Sequence, residues 1–332
     1  MLNKVSPMNH NLISYVPNLK VFDCTLRDGG LVNDSYFTDD FAKALYQANL
    51  KAGVDYMEFG YKCSRQIFDP DRFGKWKFCN EEDIRAIVGE NNTDLKISVM
   101  ADVGRCDYKS DIIPKSDSVI DTVRIATYVG AIPTCIDMIE DAKNKGYETS
   151  ANIMAVSKVN GEDLKNALEL LGQSDVDIIY LVDSFGSFYP EQIRRLTDQY
   201  MEICTKYGKK MGIHTHNNQQ LAFANTLEAM NRGDGATYLD ATVNGLGRGA
   251  GNCHLEMLLG FLRNPKYKTI PMLKFIENYI LPLREQGLVW GYDVPYLLTG
   301  QLNAHPSFAI KFIKEHRQDY YNFFHELIDD TL

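Results

Sequence analysis

The chain has 332 residues, 45% hydrophobic and 24% charged, a balance that supplies a large apolar core and excludes a disordered or fibrous polymer. A net charge of -9, a pI near 5.3 and the lack of any basic stripe exclude nucleic acid and anionic membrane as natural partners and point to a small molecule. Seven cysteines, at 24, 63, 79, 106, 135, 204 and 253, form no C-x-x-C pair; that odd count, no membrane-length apolar run and no leader-like core in Met1–Lys20 predict a reducing, cytoplasmic setting.

Taken in chain order, the first strand-like run is Lys20–Thr25, followed by Leu26-Arg27-Asp28-Gly29-Gly30. The two glycines are expected to let the backbone turn sharply and aim the Asp28 carboxylate inward. A helical pattern over Thr38–Ala52 leads to a strand at Tyr56–Tyr61, and then to a long loop from Lys62 to Asn80. That loop carries Lys62, Arg65, Arg72, Lys75 and Lys77 against only Asp69 and Asp71, together with Phe68, Phe73, Trp76 and Phe78. We read it as a lid whose Lys62 and Arg65 meet an anionic substrate, with a solvated or oligomer-contact loop as the alternative.

Strands follow at Lys96–Ala101, Thr122–Thr127, Glu148–Val156, Ile178–Asp183, Lys210–Thr215 and Tyr238–Val243, interleaved with helical patterns at Ile132–Lys145, Asn160–Leu171, Pro190–Lys206 and Gln219–Arg232. Eight such alternations match an α/β fold of the TIM (β/α)8 barrel type, with a doubly wound sheet as the alternative, since periodicity alone does not prove closure. The barrel is assigned to residues 18–265 and a C-terminal helical appendage to 266–332, with helices at Ile270–Glu285, Ser307–Glu315 and Asp319–Ile328. The segments Gly291–Tyr296 and Asn303–Pro306 read as turn-rich and aromatic.

Two segments carry the chemistry. His214 and His216 are two apart, a spacing that on a strand directs both rings to one side. Together with Asp28 they offer two imidazoles and a carboxylate at strand ends that a closed barrel gathers around one mouth. The loop Asn244–Asn252 then follows the eighth strand. Its Gly245, Gly247 and Ala250 fit a degenerate dinucleotide fingerprint, but the stretch from Asn264 to Leu273 holds no acidic residue to bind a ribose, so the loop is read as a mobile lid. Asn252 can lend its carbonyl oxygen as a further metal ligand.

Leu26-Arg27-Asp28-Gly29, His214-Thr215-His216-Asn217 and Gly245-Leu246-Gly247-Arg248-Gly249-Ala250-Gly251-Asn252 together resemble the signatures of the pyruvate-carboxyltransferase-like barrels, the HMGL-like or DRE-TIM metallolyases. Within that family the stretch from His214 to Glu256, with Val54–Glu58 and Tyr180–Ser184, is most similar to the 4-hydroxy-2-oxovalerate aldolases. The resemblance implies that Asp28, His214 and His216 hold a divalent metal, that Asn252 lies at or beside it and that Arg27 works on the substrate. It also implies a small anionic 2-oxo acid substrate, cleaved or formed through a pyruvate enolate.

Mixed nitrogen and oxygen ligands suit Mn²⁺ or Mg²⁺, with Co²⁺ and Zn²⁺ as alternatives. The chain departs from the aldolase pattern at Leu31, where that pattern carries a histidine acid/base. Tyr292, His305 or a metal-bound water is left to fill the role, and Asn33 to bind substrate. Gly30 stands where the related synthases carry glutamate, and Arg248 where the CoA lyases carry a lid cysteine.

Four further residues are inward candidates. Arg124 is carried as a substrate contact and, alternatively, as the partner of Glu58 in an ion pair across the barrel. Asp183 and Asn217 are expected to orient the ligating imidazoles. Three functions stay open: a metal-dependent aldolase, a Claisen-type acyl-CoA:2-oxo acid acyltransferase, and a metal-binding barrel without turnover that serves as a scaffold. A homo-oligomer and an aldehyde dehydrogenase partner are further expectations.

Overall fold

The computed structural model describes residues 18–231, 235–262 and 264–331. Met1–Pro17, and Arg232 at the end of one expected helix, lie outside the described residues. Eight parallel strands close into one barrel in chain order: β1 (Lys20–Asp23), β2 (Tyr56–Tyr61), β3 (Lys96–Asp102), β4 (Thr122–Thr127), β5 (Glu148–Ile153), β6 (Ile178–Asp183), β7 (Lys210–Thr215) and β8 (Tyr238–Ala241). Closure is made by β1 and β8, paired in register from Lys20 with Tyr238 to Asp23 with Ala241, which excludes the doubly wound sheet.

Alternation along each strand divides its side chains between two environments. Val21, Met57, Phe59, Ile97, Val99, Val123, Ile125, Ile179, Ile213 and Leu239 face outward and form the main core with the helices. The intervening residues fill the barrel, with an aromatic floor of Phe22, Tyr56, Tyr180 and Tyr238. Gly212 is where it is because of that floor. A β-carbon there would lie 2.4 Å from the Tyr180 ring.

Two of the barrel's helices start at capping side chains. Thr38 accepts from the Phe41 amide at 3.2 Å and opens the helix Asp39–Ala52, and Asn160 accepts from the Asp163 amide at 2.9 Å ahead of Gly161–Gln173. The expected strand Glu148–Val156 stops at Ile153, because Ala155 takes a left-handed φ of 52° and its amide turns to the Ser184 hydroxyl. The turn around Asp28 also differs from expectation. Thr25–Gly29 is one turn of α-helix, and Gly30 has a φ of -59°, so the carboxylate is aimed by helical backbone rather than by a glycine bend.

Past the barrel, Ile270–Phe275, Ile276–Ile280 and Leu281–Glu285 run on as one helical stretch with a π turn at its centre. Met272, Phe275, Ile280 and Trp290 join the barrel's own hydrophobic core, whereas Ala304, Phe312, Phe323 and Leu327 form a separate cluster. The segment expected to be turns contains the helix Val294–Gln301, whose first amide is capped by Asp293 at 2.7 Å. No helix among the described residues is long and apolar enough to cross a membrane.

Candidate metal centre

Asp28, His214 and His216 converge at the C-terminal mouth of the barrel, and one ligand atom from each lies within 4.8 Å of the others. All three side chains are buried. His214 belongs to β7, and His216 stands just past its end, where the backbone bridges to Asn252 in the glycine loop. The two rings meet edge to face with centroids 5.0 Å apart.

Each imidazole is fixed through its Nδ1. His214 Nδ1 donates to Asp240 Oδ2 at 3.0 Å, and His216 Nδ1 donates to the Asp183 backbone carbonyl at 3.0 Å. A proton on Nδ1 leaves the Nε2 lone pair for a metal. Among the described residues His214 Nε2 is buried with no hydrogen-bond partner, and so is Asn252 Oδ1. Burying such atoms unpaired is costly, and a cation among them removes the cost. Burial lowers the His216 pKa to about 3, so this ring is neutral and able to ligate at neutral pH.

Asp28 is held as a carboxylate. Burial pushes its pKa up, but Arg27 and the two imidazoles outweigh that and bring it well below the usual range. Arg27 NH1 donates to Asp28 Oδ1 at 2.9 Å, and the Asn252 amide donates to Asp28 Oδ2. The glycine loop packs closely enough that a β-carbon on Gly247 would lie 2.2 Å from the Asn252 amide nitrogen and 2.6 Å from Asp28 Oδ2. Chain approach, rather than lid mobility alone, requires glycine there.

Beneath the ligands runs a charged network. Arg27 Nε donates to Glu58 Oε2 at 2.8 Å, Arg124 NH1 to the same oxygen at 3.1 Å, and Arg124 NH2 to Asp240 Oδ2 at 2.6 Å. The chain Asp28–Arg27–Glu58–Arg124–Asp240–His214 therefore closes on the candidate metal site. Arg124 is sandwiched between the Phe22 and Tyr180 rings at 4.4 and 4.3 Å and is fully buried. It lies below the cavity as the partner of Glu58, so the expected substrate contact is withdrawn.

A cavity of about 300 Å³ opens above the ligands, walled by Arg27, Asp28, Leu31, Tyr61, Met100, Asp102, Arg105, Thr127, Tyr128, Asn152, Ser184, His214, His216, Arg248 and His305. Of the residues carried as acid/base, His305 is in this wall, whereas Tyr292 is 59% exposed and outside it. Asn33 lies outside the wall too, its amide donating to the Tyr36 carbonyl. Lys62 and Arg65 line a separate cavity with Glu81, Asp107 and Asp111. The loop that carries them is pinned down: Trp76 is fully buried and donates to the Phe37 carbonyl at 2.9 Å, and the Lys77 ammonium is surrounded by Tyr61, Phe68 and Phe73. Trp76 and Phe78 serve packing, whereas most of Arg65–Arg72 stays exposed.

Asp183 orients His216 through its backbone; its own carboxylate accepts from the Ser187 amide, and burial raises its pKa to about 7. Asn217 holds no imidazole, its side chain accepting from the Ala222 amide. Sequence reasoning missed Asp240, Asp102, Arg105 and Arg248 as members of the site. Asp240 had one signal, an acidic residue at an inward position of β8.

The HMGL-like family model matches residues 18–276. An oxaloacetate decarboxylase of Mycobacterium tuberculosis is 31% identical over 245 residues, covering 73% of this chain and 69% of that protein. A 4-hydroxy-2-oxovalerate aldolase of Pelotomaculum thermopropionicum is 29% identical over 301 residues, covering 89% and 85%. Among solved structures, the N-terminal domain of a Bacteroides vulgatus protein superposes with a TM-score of 0.75 at 28% identity, over 89% of this chain and 96% of that one. The carboxyl transferase domain of Rhizobium etli pyruvate carboxylase shares the fold, with a TM-score of 0.66 at 16% identity over 89% of this chain and 53% of that one.

Proposed function

Since the chain belongs to the HMGL-like family, we propose that it is a lyase dependent on a divalent metal, Mn²⁺ or Mg²⁺, that cleaves or forms a 4-hydroxy-2-oxo acid. The observation that carries this reading is the convergence of Asp28, His214 and His216, with the buried, unpartnered Nε2 of His214 among them. A divalent cation bound there supplies Lewis acidity to a 2-oxo acid.

The chain's own residues supply the rest. Arg27 spends two donors on Asp28 and Glu58, which fixes its guanidinium in the cavity wall, where its remaining N–H groups would stabilise the oxygen on which enolate charge develops. The C4 hydroxyl proton must leave as the C3–C4 bond breaks. We assign that proton to His305, which stands in the wall and whose pKa partial burial lowers. Its Nδ1 lies 2.6 Å from the Ser307 hydroxyl and 3.1 Å from the Ser307 amide that donates to it, so accepting a proton at Nε2 requires the tautomer in which Nδ1–H donates to the hydroxyl instead.

A second reading is decarboxylation of a 2-oxo dicarboxylic acid. Leu31 in the wall favours it, because loss of CO₂ reaches the same enolate without removing a hydroxyl proton, and so does the identity to the mycobacterial decarboxylase. Gly30 and Arg248 give the acyl-CoA reaction less support. Seven free thiols suit the reducing compartment, where an aldehyde dehydrogenase would consume the product.

The test offers the metal-loaded protein 4-hydroxy-2-oxovalerate, oxaloacetate, and acetyl-CoA with a 2-oxo acid. Pyruvate with acetaldehyde supports the aldolase, pyruvate with CO₂ the decarboxylase, and free CoA the transferase. Bound metal with no turnover of any of them leaves the scaffold.

A further inference from the structure

Arg248 is the one arginine of the cavity wall that no carboxylate of the described residues neutralises. Arg27 is paired with Asp28 and Glu58, and Arg105 NH1 lies 3.6 Å from Asp102 Oδ2. Among the described residues Arg248 makes a single hydrogen bond, from NH2 to the Ser184 backbone carbonyl at 3.2 Å, while its Nε is buried with no partner there. A guanidinium is weakly compensated by one carbonyl, and a buried N–H without an acceptor costs free energy until a ligand provides one. The side chain shares its cavity wall with His216, His305 and Ser184, beside the metal ligands.

The loop that carries Arg248 is anchored on both sides of it. Asn217 N–H donates to the Gly251 carbonyl at 2.8 Å, the Asn252 amide group reaches Asp28, and Gly291 N–H donates to the Gly249 carbonyl at 3.0 Å. The guanidinium is therefore positioned in advance, which lowers the entropy lost on binding.

We propose that Arg248 is the anchor for the carboxylate of the 2-oxo acid, a specificity-determining contact that rests on the metal-centre reading above. With the carboxylate held by Arg248 and the keto oxygen directed to the ligand cluster and Arg27, the substrate has one orientation. Its distal half points away from β7. In a closed ring of eight strands β3 lies opposite β7, so that half meets Met100, Asp102 and Arg105, with Asn152 two strands further round on β5. The paired Asp102 and Arg105 offer an acceptor and a donor to a neutral, hydroxylated group, while the single unneutralised arginine matches a single carboxylate. The substrate class is thus a monoanionic 2-oxo acid with a hydroxylated distal half.

Oxalate, which sets two oxygens side by side as a carboxylate and keto group do, is the probe. Titrated into the Mn²⁺-loaded protein, it is expected to bind Arg248→Ala about ten- to a hundred-fold more weakly than wild type, the size of one charge-assisted hydrogen-bonding group. Arg248→Lys should recover part of the loss, and Mn²⁺ affinity should be unchanged in both variants, which also shows that they fold. The same losses should appear in KM for the 2-oxo acid more than in kcat. Oxalate affinity unchanged in Arg248→Ala overturns the proposal and leaves the metal centre standing. Failure of the wild-type protein to bind Mn²⁺ overturns the underlying reading and the proposal with it.

Discussion

His214 and Asp240 are joined by a 3.0 Å hydrogen bond from Nδ1 to Oδ2, and the same carboxylate oxygen accepts from Arg124 at 2.6 Å. One acidic residue on β8 thereby sets the tautomer of the candidate ligand His214 on β7 and ties it to the buried network below. Arg124 and the hydrogen bond to His214 keep Asp240 ionised against its burial, with a pKa of about 2. Asp240→Asn keeps the shape but weakens that hold, and Mn²⁺ affinity should fall about ten- to a hundred-fold. Isothermal titration of the variant checks this; an unchanged affinity removes Asp240 from the metal centre.

Arg27 touches the cavity, the candidate ligand Asp28 and the buried Glu58 at once. Arg27→Ala should lower kcat by about a hundred- to a thousand-fold, as loss of one preorganised donor to a developing oxyanion does. Arg27→Lys should fall between, since it keeps the charge and loses the planar fork. Steady-state kinetics with Mn²⁺ at saturation measure both, and metal binding measured alongside should survive.

Glu58 and Arg124 are fully buried and depend on each other. Each keeps a second partner, Glu58 in Arg27 and Arg124 in Asp240, so Glu58→Gln or Arg124→Met should each cost about 1–3 kcal/mol of stability, the scale of a buried polar group left unpaired. The double variant should cost less than the two losses added, because it removes both charges. Urea unfolding of the three variants provides the numbers.

How much of this was legible in the sequence depended on distance along the chain. Strands β2, β4, β6 and β7 stand at the limits their apolar runs predict, because an alternating run bounded by polar turns is a local signal. His214 and His216 share that signal. Where the chain left a strand without a glycine, as at Ala155, the end was misplaced. The Asp240 link to His214 spans 26 residues and Arg124 to Asp240 spans 116, and no local pattern encodes either. Trp76 looked like part of a lid for the same reason: nothing nearby reveals that it plugs onto Phe59, with ring centroids 5.3 Å apart.

Asp23 predicts a pH dependence. Burial raises its pKa to about 6 from an ordinary 3.8, against the lowering effect of its bonds from Asn49 and Thr25. Between those values the folded protein holds a proton that the unfolded chain has released. That contribution to stability is full below pH 3.8 and is lost as pH rises through about 6. The loss amounts to about 3 kcal/mol. Asp23→Asn should flatten this part of the profile, read as urea midpoints at intervals across the window; an identical slope in the variant assigns the titration elsewhere.

The most direct test is a Mn²⁺ titration of metal-free protein, followed by electron paramagnetic resonance of the free ion, in wild type, Asp28→Asn, His214→Ala and His216→Ala. One tight site per chain in the wild type, weakened at least tenfold in each variant, is the predicted result. Absence of a tight site, or a site that survives all three substitutions, contradicts a metal centre built from Asp28, His214 and His216.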